Sequence, residues 1–179
     1  MHLLIAPIGA SAVLAFAVPA SPLAQPWPII GGNILSALVG MAAVWFIPHP
    51  ALATALSVPL AILTMSLARC LHPPGGAVAL LAVGAGPVLL PAALGSALLV
   101  LAAWTFHRVS GHAYPHHASA IAAKRELAAE GLRPDDLAAA LNELGEAFDI
   151  APEDLAMLVA RAEHHAAERR SGTRAPAAL

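Results

Sequence analysis

Apolar positions run almost unbroken through the first three-fifths of the chain, then give way to a mixed pattern with helical spacing. A helix needs about 20 apolar residues, each rising about 1.5 Å, to cross a bilayer core. Residues 2–18, 29–47, 51–71 and 87–107 meet that requirement, the first being the shortest. They are separated by the Pro-rich run 19–28, the break Pro48-His49-Pro50 and the segment 72–86. Residues 75–86 are apolar but too short to cross alone, so they predict a half-helix or re-entrant piece leading into the last span. Backbone broken at that depth has to be shielded by protein or line a wet cavity, because lipid satisfies no hydrogen bonds.

Past His107 the pattern changes. Pro134-Asp135-Asp136-Leu137-Ala138 and Pro152-Glu153-Asp154-Leu155-Ala156 repeat one helix-start signature. Proline at the first helical position loses no hydrogen bond, and acids in the first turn suit the positive end of the helix dipole. Leu137, Leu141 and Leu144 fall on one face of the first helix, and Leu155, Leu158, Val159 and Ala162 on one face of the second. An αα-hairpin is expected, with Phe148 and Ile150 closing its small core. Residues 171–179 carry Pro, Arg and small side chains without apolar periodicity and are expected to be disordered.

Charge sharpens this division. Of 179 residues 59% are hydrophobic and only 11% charged. Before His107 there is no Asp, Glu or Lys, and Arg69 is the one charged side chain; every acidic residue lies from Glu126 to Glu168. The expected fold is all-α, a polytopic helical membrane bundle of about four spans plus a broken segment, with a soluble C-terminal hairpin. We divide the chain into a transmembrane region 1–108, a His-rich juxtamembrane linker 109–125, a helical hairpin 126–170 and a tail 171–179. A cleaved signal peptide at the start is disfavoured, since no basic residue precedes the apolar run and Pro7 interrupts it. Arg108, Lys124 and Arg125 place the C-terminus in the cytoplasm by the positive-inside rule, and the inner (plasma) membrane is the expected location. The net charge of -2 excludes a generally basic nucleic-acid binder. A single cysteine, Cys70, excludes an intrachain disulfide and a multi-Cys metal site.

Within the apolar region, Arg69-Cys70-Leu71-His72-Pro73-Pro74-Gly75-Gly76-Ala77 stands apart. The prolines end one helix, and the glycines allow a sharp turn and close approach. A helix restarting near Gly76 would present N–H groups and a partial positive charge, which favours an anion. Arg69 is either a functional charge or a side chain reaching a headgroup; at mid-bilayer it would cost about 2.5 to 3.5 kcal/mol. His72 is either a proton-coupling group or a capping residue. Pro26-Trp27-Pro28-Ile29-Ile30-Gly31-Gly32-Asn33 echoes this break, and paired interruptions point to a transporter's midplane site. Pro7-Ile8-Gly9-Ala10-Ser11 reads most simply as close packing through small residues. His107, His112, His116 and His117 cluster past the last span; with no Cys or acidic partner beside them, interfacial packing outweighs a metal site.

The runs Ile5-Ala6-Pro7-Ile8-Gly9-Ala10-Ser11-Ala12, Ser21-Pro22-Leu23-Ala24-Gln25-Pro26, Ile30-Gly31-Gly32-Asn33 and above all His72-Pro73-Pro74-Gly75-Gly76-Ala77 resemble the HPP family of integral membrane proteins. The resemblance covers about residues 3–117, including Tyr114-Pro115-His116. It implies a transporter, with nitrite the associated solute in plastid and cyanobacterial relatives. Family members usually carry a further helix upstream and many continue into nucleotide-binding CBS domains, so this chain is expected to be a truncated relative. Trp27-Pro28 stands where a basic and a polar residue are expected, and Asn33 where many relatives have His. The hairpin resembles the linker that precedes the CBS domains.

The leading expectation is a transporter or permease for a small solute, such as an inorganic anion, working without a cofactor or metal and assembled as a homo-oligomer in the bilayer. Its expected substrate-binding residues are Arg69, His72, Pro73, Pro74, Gly75 and Gly76, joined by Gly31, Gly32 and Asn33. The alternative is a membrane scaffold or sensor whose hairpin docks a partner. An enzyme is disfavoured, because no carboxylate precedes Glu126 to serve as an intramembrane acid or base.

Overall fold

A computed structural model describes residues 6–117, 119–144 and 149–171. Among these residues all regular structure is helical: α1 (Ala6–Ala17), α2 (Pro26–Phe46), α3 (Pro50–Leu67), α4 (Pro74–Ala85), α5 (Leu89–Ser110), α6 (Ala120–Ala129), α7 (Pro134–Leu144) and α8 (Pro152–Arg170), plus a 3-10 turn at Pro22–Ala24. The chain divides into two compact units, Met1–His116 and His117–Leu179.

In the first unit α2, α3 and α5 are long and apolar enough to cross a membrane, while α1 and α4 are shorter apolar helices. Two of the expected spans shift by a few residues for local reasons. α2 starts at Pro26, since prolines are tolerated in the first turn of a helix. α3 stops at Leu67 because Arg69 takes a left-handed conformation, φ 52°, and closes the helix. There Cys70 N–H donates to the Met65 carbonyl at 2.9 Å and Arg69 N–H to Ser66 at 3.1 Å, the paired bonds of a Schellman cap. The anticipated half-helix, expected over 75–86, is α4, which runs from Pro74 to Ala85. The first expected span, 2–18, is described only from Ala6, as α1.

α2 is the central helix, packed on α3, α4 and α5. Its small residues permit this. A Cβ on Gly32 would fall 2.7 Å from His72 Cβ and 2.8 Å from the Cys70 carbonyl; one on Gly75 would fall 2.6 Å from Ser36 Oγ and 3.2 Å from the Gly32 carbonyl. Gly40 likewise abuts the Ala79 backbone. α2 and α4 therefore run in the same direction with their backbones nearly touching, as small residues allow in membrane bundles. α5 runs the other way: Ile29 shares a core with Leu99, Ala103 and Tyr114, and Ala37 one with Val88 and Ala92.

The second unit departs from the expected two-helix hairpin. It holds three described helices, because Ser119 caps an additional helix, α6, by accepting from Ala122 N–H at 3.3 Å. α8 packs on α6 through Ala156 and Ala160 against Ala123 and Leu127. Leu158, placed on the buried face by periodicity, is 60% exposed, and Leu144 is 63% exposed. The small alanines let the two helices approach more closely than the leucine face would. Ile150 is half-buried; Phe148 and residues 172–179 lie outside the described residues.

Candidate functional site

The apolar unit encloses a polar network that ties five parts of the chain together. His72, fully buried in the turn between α3 and α4, places Nε2 2.7 Å from Ser11 Oγ on α1 and Nδ1 2.8 Å from the Leu23 carbonyl. A carbonyl only accepts, so Nδ1 carries the hydrogen, and in neutral imidazole Nε2 is the acceptor for the Ser11 hydroxyl. Asn33 on α2 donates from Nδ2 to Ser96 Oγ on α5 at 2.9 Å and to Ser11 Oγ at 3.4 Å. Ser11, Asn33, His72 and Ser96 are each fully buried. Asn33 lies seven residues into α2, about 10 Å from its start, so the network sits inside the bundle.

One atom of the network has no partner. Asn33 Oδ1 is buried without a hydrogen bond, a cost of about 1 to 3 kcal/mol. Ser11 spends its single proton on Nε2 and can only accept from Asn33, which fixes the amide with Nδ2 toward the serines and Oδ1 left over. A buried orphan of this kind, which among the described residues His107 Nδ1 shares, calls for an explanation in function or in solvation.

A second layer holds the network from the N-terminal end of α2. Gln25 Nε2 donates to the carbonyls of Pro19, at 2.9 Å, and Ser21, at 2.8 Å, while its Oε1 accepts from His116 N–H at 2.8 Å. Tyr114 donates its hydroxyl to the Ala24 carbonyl at 3.0 Å. The strand of chain that supplies Leu23 to His72 is thereby fastened to the segment after α5. Burial pushes the Tyr114 phenol up to about 12.

The expected site residues separate into two groups. His72 and Asn33 enter the network, and Gly32 and Gly75 line it as close-packing positions. Their role differs from supplying N–H groups: Gly75 N–H donates to the His72 carbonyl at 2.9 Å and Gly76 N–H to Pro73 at 3.1 Å, so the start of α4 is already satisfied. Gly31 lies under the Trp27 ring, whose Nε1 caps α3 by donating to Ala68 O at 3.2 Å. Pro74 is buried at the first position of α4 and Pro73 is exposed. Arg69 is exposed at the end of α3, outside the network; its backbone, rather than its charge, shapes the turn. Ser96 and the partner role of Ser11 carry no sequence motif; a lone serine in an apolar span is the faint signal they leave.

The histidine cluster also resolves. His107 is buried, with Nε2 2.8 Å from the Ala15 carbonyl, and packs against Tyr114 with ring centroids 5.3 Å apart. His112 and His117 are exposed. Among the described residues no group of three or more His, Cys, Asp or Glu side chains is placed to hold a metal ion.

This arrangement of apolar helices around a central glycine-lined one coincides with a known sequence family, since residues 1–115 match the HPP transmembrane region. The chain belongs to the HPP family. It is an integral membrane protein, and its HPP region covers the whole network, from Ser11 to Ser96, and Tyr114. Two transmembrane proteins of Dictyostelium discoideum are similar to it. One is 48% identical over 87 residues, covering 46% of this chain and 30% of the relative. The other is 41% identical over 112 residues, covering 56% of this chain and 36% of the relative. The chain thus spans about a third of the length of each of these relatives. No solved structure matches it.

Proposed function

We propose that this HPP protein is a permease for a small solute, with an inorganic anion such as nitrite as the substrate class, working in the cell's inner membrane with its C-terminus in the cytoplasm. The observation that carries the reading is the buried Ser11–Asn33–His72–Ser96 network. Polar and ionisable groups inside a bilayer are costly and mark substrate or proton pathways. Here they converge where the half-helix α4 and the turn before it meet the continuous helix α2, and interrupted helices of this kind support a transporter binding site. The network has donors, an acceptor and a titratable ring but no fixed charge, which supports a polar solute. A homo-oligomer would cover the lipid-facing flanks of the short helices.

The test is solute uptake into proteoliposomes containing the full chain. Saturable nitrite entry above that of protein-free vesicles, lost in His72→Gln, is the expected result. Entry equal to that of protein-free vesicles at every concentration would overturn the reading.

A further inference from the structure

Resting on that permease reading, we infer that the network takes its solute in the neutral, proton-bearing form, with His72 Nε2 receiving and returning the proton, so that each anion crosses together with one proton.

Three observations converge. The first is the lack of any fixed charge to neutralise an anion. Arg69, the sole charged side chain before His107, is exposed at the end of α3, and the N–H groups at the start of α4 are taken by His72 and Pro73 carbonyls. A bare anion would be buried uncompensated, which apolar interiors do not tolerate.

The second is the orphan at Asn33. Oδ1 is a buried acceptor with no donor. It lacks a hydrogen, and a protonated weak acid brings one where its anion cannot.

The third is that the His72–Ser11 pair is built for two protonation states. With His72 neutral, Ser11 donates to Nε2. With a proton on Nε2, the ring donates to Ser11 Oγ and the hydroxyl turns to the Pro7 carbonyl, 3.2 Å away on the same helix. The Nδ1 bond to Leu23 is the same in both states. Each atom therefore keeps a partner, and only the serine rotor moves. The surroundings do not compete. α1, α2, α4 and the Pro22–Ala24 turn present no titratable group to the ring. The α3–α4 turn adds buried Cys70 and exposed Arg69. From α5 the titratable group is His107, which bonds instead to Ala15, and Tyr114 beyond it bonds to Ala24.

The transfer balances. The acid's O–H bond, which meets Asn33 Oδ1 on binding, then breaks with its electron pair left on the anion, and an N–H bond forms at Nε2, so that the anion lies beside an imidazolium and is compensated. On release the N–H bond breaks and the proton rejoins the anion. Net charge moved across the membrane is zero.

The experiment uses the full-length protein in proteoliposomes with a trapped pH dye, nitrite as the probe, and the membrane potential clamped with valinomycin and potassium. Protein-free vesicles set the baseline for unassisted permeation of the acid. We expect luminal acidification at one proton per nitrite and a rate independent of the clamped potential. Ser11→Ala should slow this flux about tenfold, while Ser11→Thr, which keeps the hydroxyl, retains it. Nitrite flux that responds to potential and leaves luminal pH unchanged overturns the coupling and leaves the permease reading standing. That measurement needs no variant. Flux no greater than the baseline overturns both.

Discussion

His72 and Ser11 stand 61 residues apart in the chain, yet ring nitrogen and hydroxyl meet at 2.7 Å inside the bundle. That contact links the broken turn after α3 to the short helix α1. It also constrains everything around it, because Ser11 has one proton to give. Whether it goes to Nε2 or to the Pro7 carbonyl, Ser11 is left to accept from Asn33, so the amide turns Nδ2 to the serines on α1 and α5 and leaves Oδ1 bare.

The site depends on backbone proximity at two glycines. Gly32→Ala drives a methyl into His72 Cβ and the Cys70 carbonyl, and Gly75→Ala one into Ser36 Oγ and Met65 Sδ. Both should destabilise the bundle by about 1 to 3 kcal/mol, as overpacking does. Gly84→Ala, whose methyl would meet nothing within 4 Å, should be neutral or stabilising by up to about 1 kcal/mol. Apparent melting temperatures in detergent will rank the three.

Arg69 gives the clearest separation of charge from conformation. A left-handed non-glycine residue costs about 1 to 2 kcal/mol, and glycine's extra unfolded-state entropy offsets about 0.5 to 1 of that. Arg69→Gly should therefore stabilise the protein by up to about 1.5 kcal/mol. It should also leave solute uptake intact, since the guanidinium lies outside the network. Loss of uptake with preserved melting temperature would return the charge to the mechanism.

The spans were legible because hydropathy is a sum over many residues. The half-helix at 74–85 was legible because Pro and Gly act locally. The network was only half legible. His72 and Asn33 sit beside conspicuous breaks, but Ser11 and Ser96 become partners solely through helix packing, which no local pattern encodes. The Gly-Gly pairs take a role other than the one expected of them: in place of free N–H groups, Gly75 and Gly76 donate locally, and the missing Cβ atoms of Gly32 and Gly75 serve close approach. In the second unit leucine periodicity pointed at one face of α8, but Ala156 and Ala160 form the contact. Helix-to-helix distance depends on the partner, which sequence spacing does not report.

Tyr114 supplies a pH test with its own optical label, being the chain's single tyrosine. Its phenol is raised from 10.0 to about 12 by burial. The unfolded or undocked form ionises first, so the stability contributed by the docked phenol is complete below pH of about 10 and is lost as pH rises through about 12. Phenolate absorbance should rise late, near that upper value, together with release of the Pro22–Ala24 turn. Tyr114→Phe loses the bond to Ala24, costing about 1 kcal/mol, and should remove the alkaline transition. Titration at the ordinary tyrosine value would show that Tyr114 is not held against Ala24.

Asn33 is where stability and function should part. Its amide makes two hydrogen bonds to serine hydroxyls and leaves one acceptor bare. Each bond contributes about 0.5 to 1.5 kcal/mol, while the orphan costs about 1 to 3 kcal/mol, so the two sides nearly cancel. Leucine has a similar volume and no polar atoms. Asn33→Leu should then leave the melting temperature in detergent almost unchanged, with ΔΔG within about 1 kcal/mol of zero, and abolish solute uptake by removing the acceptor. A purely structural asparagine would give the opposite pairing, a large loss of stability with uptake retained in whatever protein still folds. Parallel melting and flux measurements on this one variant therefore distinguish a residue kept for packing from one kept for the solute.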